Sequence, residues 1–176
     1  MSKAPQPDPF FWHETGSNLF QAANFHLRLL DELDPSTHVV GLPEARNLDH
    51  PNPYREQARK RTHWMLVGMA VENWLKGLIV AASVDARQIW PTHDLAKLAL
   101  AAGLDLEEED EKFLTTLAGA VRWAGRYPSP NRDSELHDFN EECLTKERYE
   151  RVAKKILDRH DELDKSFDST EFDQLD

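Results

Sequence analysis

Apolar residues crowd into residues 62–83, THWMLVGMAVENWLKGLIVAAS. Trp64, Val67, Val71, Trp74, Leu78 and Ala82 recur at steps of three or four, the period of one helix face. Met65, Leu66, Met69, Ala70, Leu75 and Ile79 cover most of the remaining circumference. A helix apolar nearly all round is surrounded by neighbours, so the run predicts the central helix of a bundle. His63, Glu72, Asn73 and Lys76 interrupt it. A membrane span needs about 20 nearly uninterrupted apolar residues, so none is expected. Glu72 and Lys76 stand four apart, in the favourable order for a helical ion pair.

The flanking pattern supplies the other elements. Pro5, Pro7 and Pro9 predict a flexible N-terminal arm over residues 1–14. A first helix is expected over 17–33, with Ser17 as N-cap and a stripe of Leu19, Ala23, His26, Leu27, Leu30 and Leu33. Residues 34–53 carry four prolines and form a long connection. The central helix begins near residue 53, its first turns (YREQARKRTH) polar and basic. A third helix over 92–102 has Thr92 to cap it, Asp94 in its first turn and Gly103 to stop it. A fourth, over 107–126, opens on the acidic run EEEDE at the positive end of its dipole. Phe113, Leu117, Ala120, Val121 and Ala124 form its core face. After a second loop, a fifth helix over 146–167 shows Tyr149, Val152, Ala153, Ile156, Leu157, His160 and Leu163 on one side. Residues 168–176 read as an acidic tail. The fold class is all-α: one domain over residues 15–167, an up-and-down antiparallel bundle of four or five helices.

Composition agrees with one helical domain. The chain has 176 residues, 40% of them hydrophobic, with five Trp and eight Phe to fill a core. Runs of β-branched residues are few, which argues against sheet. Cys143 is the single cysteine, so no internal disulfide and no thiolate metal cluster can form. The start, MSKAPQPDPFFWHE, lacks the pattern of a signal peptide, and a reducing cytoplasm is the expected location.

The formal net charge of −11 opposes non-specific nucleic-acid binding. Yet residues 107–111 and 161–176 hold twelve carboxylates and one lysine, which leaves the rest of the chain neutral overall. Arg55, Arg59, Lys60 and Arg61, with His63 beside them, then form a local basic cluster, a candidate contact for RNA phosphates. The competing reading is a solvated helix end, or one paired with an acidic segment such as residues 107–111.

Four pieces follow one another in a familiar order. AVENWLKGLIVA (70–81) is followed by THDL (92–95), by a helix ending in WAGRYP (123–128), and by TKERYERVAKKIL (145–157). This order resembles the HEPN family of prokaryotic helical domains, where A-x-E-x-x-L-K, H-D-L and R-Y-P occupy successive helices. The resemblance implies an antiparallel bundle that dimerises. It also implies a toxin–antitoxin, defence or nucleotidyltransferase-linked setting, with an antitoxin or nucleotidyltransferase as a possible partner chain. Active members carry Arg, four to six residues, then His, and cleave RNA without a metal.

The matching pair here is Arg132 and His137, in RDSELH. The functional reading makes His137 a general acid or base on the 2′-hydroxyl and Arg132 a stabiliser of phosphate charge. The pair lies in a Pro-bounded loop rather than at the head of a helix, and the non-catalytic reading is the expected one. His93 and Asp94 stand where a nucleotide or partner would meet a helix N-terminus, with helix-start packing as the simpler role. Arg126, beside Tyr127, complements the end of the fourth helix, within reach of a buried carboxylate such as Glu72. No metal motif and no cofactor loop is present in the sequence. The first expectation is therefore a HEPN-like binding or regulatory protein working through a homodimer or partner chain. The alternatives are a metal-independent endoribonuclease using Arg132 and His137, and a helical ligand-binding protein with a pocket lined by Trp64, Trp74 or Trp123.

Overall fold

A computed structural model describes residues 8–32, 53–82, 92–124 and 139–172. These form five α-helices: α1 (Pro9–Glu32), α2 (Pro53–Ala81), α3 (Leu95–Ala101), α4 (Glu108–Gly119) and α5 (Lys146–Phe172). No strand occurs among the described residues. The all-α expectation holds, and α2 packs against α1, α3, α4 and α5.

Helix α1 starts well before residue 17. Asp8 caps it, its carboxylate accepting from the Phe10 N–H at 2.9 Å, and Pro9 takes the first helical position, where no N–H is needed. Residues 9–14 are thus helix, not arm. Trp12 folds onto the body, with the Lys76 ammonium 5.7 Å from its ring, while Phe10 and Phe11 stay exposed.

Along α2, Val67, Ala70, Val71, Leu75, Leu78, Ile79 and Val80 are buried. By length and composition residues 57–81 are apolar enough to cross a membrane, but 61% of the apolar window is buried inside the protein. The polar interruptions have partners: Asn73 donates to the Met69 carbonyl at 2.7 Å, and Glu72 accepts from Lys76 at 2.6 Å.

Asp94, not Thr92, is the N-cap of α3. Its carboxylate accepts from the Lys97 N–H at 3.1 Å, while the Thr92 hydroxyl accepts from the Asp94 N–H. Gly103 ends the helix at φ +81°, the left-handed conformation in which glycine has no Cβ penalty.

Helix α4 gives way to a π turn, Ala120–Ala124, which buries Val121, Trp123 and Ala124 and leaves Arg122 exposed. A 3-10 turn, Glu141–Cys143, precedes α5, with the Asn140 side chain accepting from the Glu142 N–H. Helix α5 runs on to Phe172, so residues 168–172 of the expected tail are helical.

The acidic start of α4 does more than face a dipole. Asp110 is fully buried and accepts from Arg151 Nε at 2.6 Å, Lys155 Nζ at 2.7 Å and the Glu107 N–H at 3.2 Å. Burial pushes its carboxyl up, but the Lys155, Arg151 and Glu107 hydrogen bonds outweigh that, and its pKa lies below the ordinary value. This cluster ties α4 to α5.

Candidate functional site

The residues singled out in the sequence fall in different places. His93 stands just before α3, half exposed, and its Nδ1 donates to Glu72 Oε2 at 2.9 Å. Glu72 thus accepts from both Lys76 on its own helix and His93 from the next segment. This satisfies a buried carboxylate that burial alone would penalise. It also joins the ENWLK and THDL pieces, two of the four stretches that carry the resemblance, by one hydrogen bond. Asp94 is exposed and spends its carboxylate on capping α3. That helix has seven residues and its N-terminal donor is already satisfied, so it offers no anion site.

Arg59 is half-buried on α2, and Arg55 lies on the first turn of the same helix. The basic cluster they belong to is not simply solvated. Arg61 pairs with Glu141 of the 3-10 turn, and its guanidinium stands 5.9 Å from the Trp123 ring and 5.7 Å from the Phe139 ring. The Trp123 and Phe139 rings meet edge to face, 5.1 Å apart. The acidic partner of Arg61 is therefore Glu141; the run at 107–111 is engaged with Arg151 and Lys155 of α5. Arg126, Arg132 and His137 lie outside the described residues. No cluster of metal-ligating side chains occurs among the described residues.

Two concavities flank the Phe20–Tyr149 pair, whose rings stack 5.4 Å apart. The first has a volume of about 740 Å³ and lies between α1, α2, the 3-10 turn and the start of α5. Phe20, Trp64, Val67, Leu144 and Tyr149 give it apolar walls, and His63 is the one histidine on its lining among the described residues. Three cations (Lys60, Arg61, Lys146) and three carboxylates (Glu141, Glu142, Glu150) also line it. The second, about 1000 Å³, is a groove between the first half of α1, the last turns of α2 and α5. Trp74, Leu78, Ile156, Leu157 and Leu163 make it largely apolar, with the His13 and His160 rings tilted against each other, 5.1 Å apart, on one side.

Sequence reading put His63 in the basic cluster of α2. It is 9% exposed, its Nδ1 3.2 Å from the Ala23 carbonyl oxygen and its ring 5.2 Å from that of Trp64. Desolvation pushes its pKa below the ordinary 6.5; the Ala23 bond opposes this and nearby His26 adds to it. Tyr149 beside it is pushed up to about 12, mainly by burial and then by Glu150. The only hint in the chain was the position of His63 one residue before Trp64, at the start of the apolar run.

The unfolded chain takes up the His63 proton near 6.5, and the folded protein resists it to lower pH. The stabilisation is complete above 6.5 and is lost as pH falls from there toward the folded value. Urea midpoints at pH 7.5 and 5.5 will show a drop that is smaller in His63→Phe. An equal drop in both proteins would show that His63 does not contribute.

No protein-family model matches the chain, and neither a curated protein nor a solved structure matches it significantly.

Proposed function

We propose that this chain is a HEPN-like binding or regulatory protein that acts by pairing with a second copy of itself through the α1–α2–α5 groove. The observation that carries the reading is the groove itself. About 1000 Å³ of largely apolar concavity is edged by Phe10 at 69% and Leu157 at 59% exposure. Contiguous exposed apolar surface of this kind marks a place where another chain sits.

Charge along α5 supports a second copy as the occupant. Residues 146–155 carry five basic and two acidic side chains, with Arg151 and Lys155 already bound to Asp110, which leaves Lys146, Arg148 and Lys154; residues 156–165 carry four acidic and two basic. Two copies related by a two-fold axis, with α5 antiparallel, set the basic half of each against the acidic half of the other. The Glu72–His93 bond supports the HEPN comparison, since it explains physically why the two motifs occur together. In a reducing cytoplasm Cys143 stays a thiol, and a toxin–antitoxin or nucleotidyltransferase-linked role fits a protein that works by pairing.

Light scattering tests this directly. The wild type will give about twice the 20.3 kDa of one chain. Leu157→Glu, at a position exposed in the single chain, will halve that mass without loss of helicity. A monomeric wild type at tens of micromolar would overturn the homodimer. Metal-independent RNA cleavage that disappears in His137→Ala would replace the binding role with the ribonuclease.

A further inference from the structure

The cavity between α1, α2 and α5 is separate in chemistry from the groove, and it has the size of a small-molecule site, roughly 300–1000 Å³. Its apolar wall holds three aromatic rings, Phe20, Trp64 and Tyr149, beside Val67 and Leu144. Trp64 is fixed from behind by Phe113, whose ring meets it edge to face at 6.2 Å. Such a wall takes a flat ring, by stacking or edge contact.

His63 adds direction. A carbonyl oxygen only accepts, so the 3.2 Å contact with Ala23 places the imidazole proton on Nδ1. In the neutral ring Nε2 is then an acceptor, and a site of this kind selects a ligand that donates. The rim selects against charge. Among the described residues its three cations are matched by three carboxylates, and Arg61 is already bound to Glu141. A phosphate or carboxylate ligand would meet no net positive field there.

We propose that this cavity binds an uncharged aromatic heterocycle whose ring N–H donates to His63 Nε2 while its face lies against Trp64 and the Phe20–Tyr149 pair. This goes beyond the pairing reading, because among the described residues the cavity and the groove share Phe20 and Tyr149 alone, and His63 and Trp64 line only the cavity.

The test uses indole and benzofuran as probes, two rings of nearly the same shape that differ in the N–H. Calorimetry on the full chain will show indole binding about tenfold more tightly than benzofuran. Long-range nitrogen NMR of the histidines will show the His63 Nε2 signal shifting on addition of indole and scarcely on addition of benzofuran. His63→Phe will abolish the preference for indole. The wild-type comparison of the two probes decides the matter even where that variant folds poorly. Equal binding of both probes, an unmoved His63 signal, or no binding of either would overturn the proposal. Tighter binding of indole-3-acetate than of indole would overturn the uncharged class.

Discussion

Asp110→Ala will lower the stability of the fold by about 2–4 kcal/mol, the largest loss expected from any single charge in the chain. Removing one partner of a buried ion pair costs roughly 3–5 kcal/mol. Arg151 and Lys155 keep 34% and 25% of their side chains exposed, so solvent can reclaim part of their charge, and the lower end applies. The lost bond to the Glu107 N–H adds a capping contribution of about 1 kcal/mol. Against a typical total of about 5–15 kcal/mol this is a large fraction.

The same carboxylate gives an acid signature. Its pKa is held below the ordinary value in the fold, so its stabilisation is present above the unfolded value of about 3.9 and is lost as pH falls through the folded one. Denaturation midpoints measured from pH 7 down to pH 2 will fall more steeply for the wild type than for Asp110→Asn below about pH 4. Parallel curves would mean that α4 and α5 are held together by other contacts.

Gly68→Ala is the second large effect, and its sign is not obvious in advance. In the middle of the 29-residue α2, alanine is intrinsically better than glycine by about 1 kcal/mol. A Cβ at Gly68, however, would stand 2.5 Å from Val121 Cγ2 and 3.3 Å from the Leu117 carbonyl oxygen. Neither yields easily: Val121 is β-branched, 2% exposed and part of the π turn, and the other atom is backbone. Overpacking costs roughly 1–3 kcal/mol, so a net loss of about 1–2 kcal/mol is expected. Gly68→Ala in a Val121→Ala background will recover at least about 1 kcal/mol relative to the sum of the two single changes. Strict additivity would show that the helices separate instead of clashing.

What could be read from the chain was what is local. The 62–83 run gave α2 because its apolar residues are continuous, and the clean stripe from Tyr149 to Leu163 gave α5. Gly103 marked the end of α3 because that position demands positive φ. The start of α1 was legible but outweighed: Asp8 and Pro9 form a good helix opening, yet three prolines in nine residues suggested an arm. The role of Asp110 was not legible. It sits among four other carboxylates, and its partners lie 41 and 45 residues further along. The same holds for Glu72, whose i+4 lysine was visible while its bond to His93 spans 21 residues. His63 was placed with the basic residues around it because side-chain burial depends on what packs opposite, here Ala23 of α1. Of the expected site residues, Arg126, Arg132 and His137 fall outside the described segments. His93 and Asp94 are engaged in the framework. Of the cavity lining, Trp64, Val67 and Tyr149 lie on faces that periodicity marked as core, while Phe20, His63 and Leu144 do not.

The stacked Phe20–Tyr149 pair lines both the cavity and the groove. One wall therefore has two faces, and it cannot be reshaped for one without altering the other. A cavity ligand that shifts these rings changes the affinity of pairing, and by linkage pairing then changes the affinity of that ligand by the same factor. The two concavities are in that sense a single thermodynamic unit, with two aromatic rings as the shared coordinate.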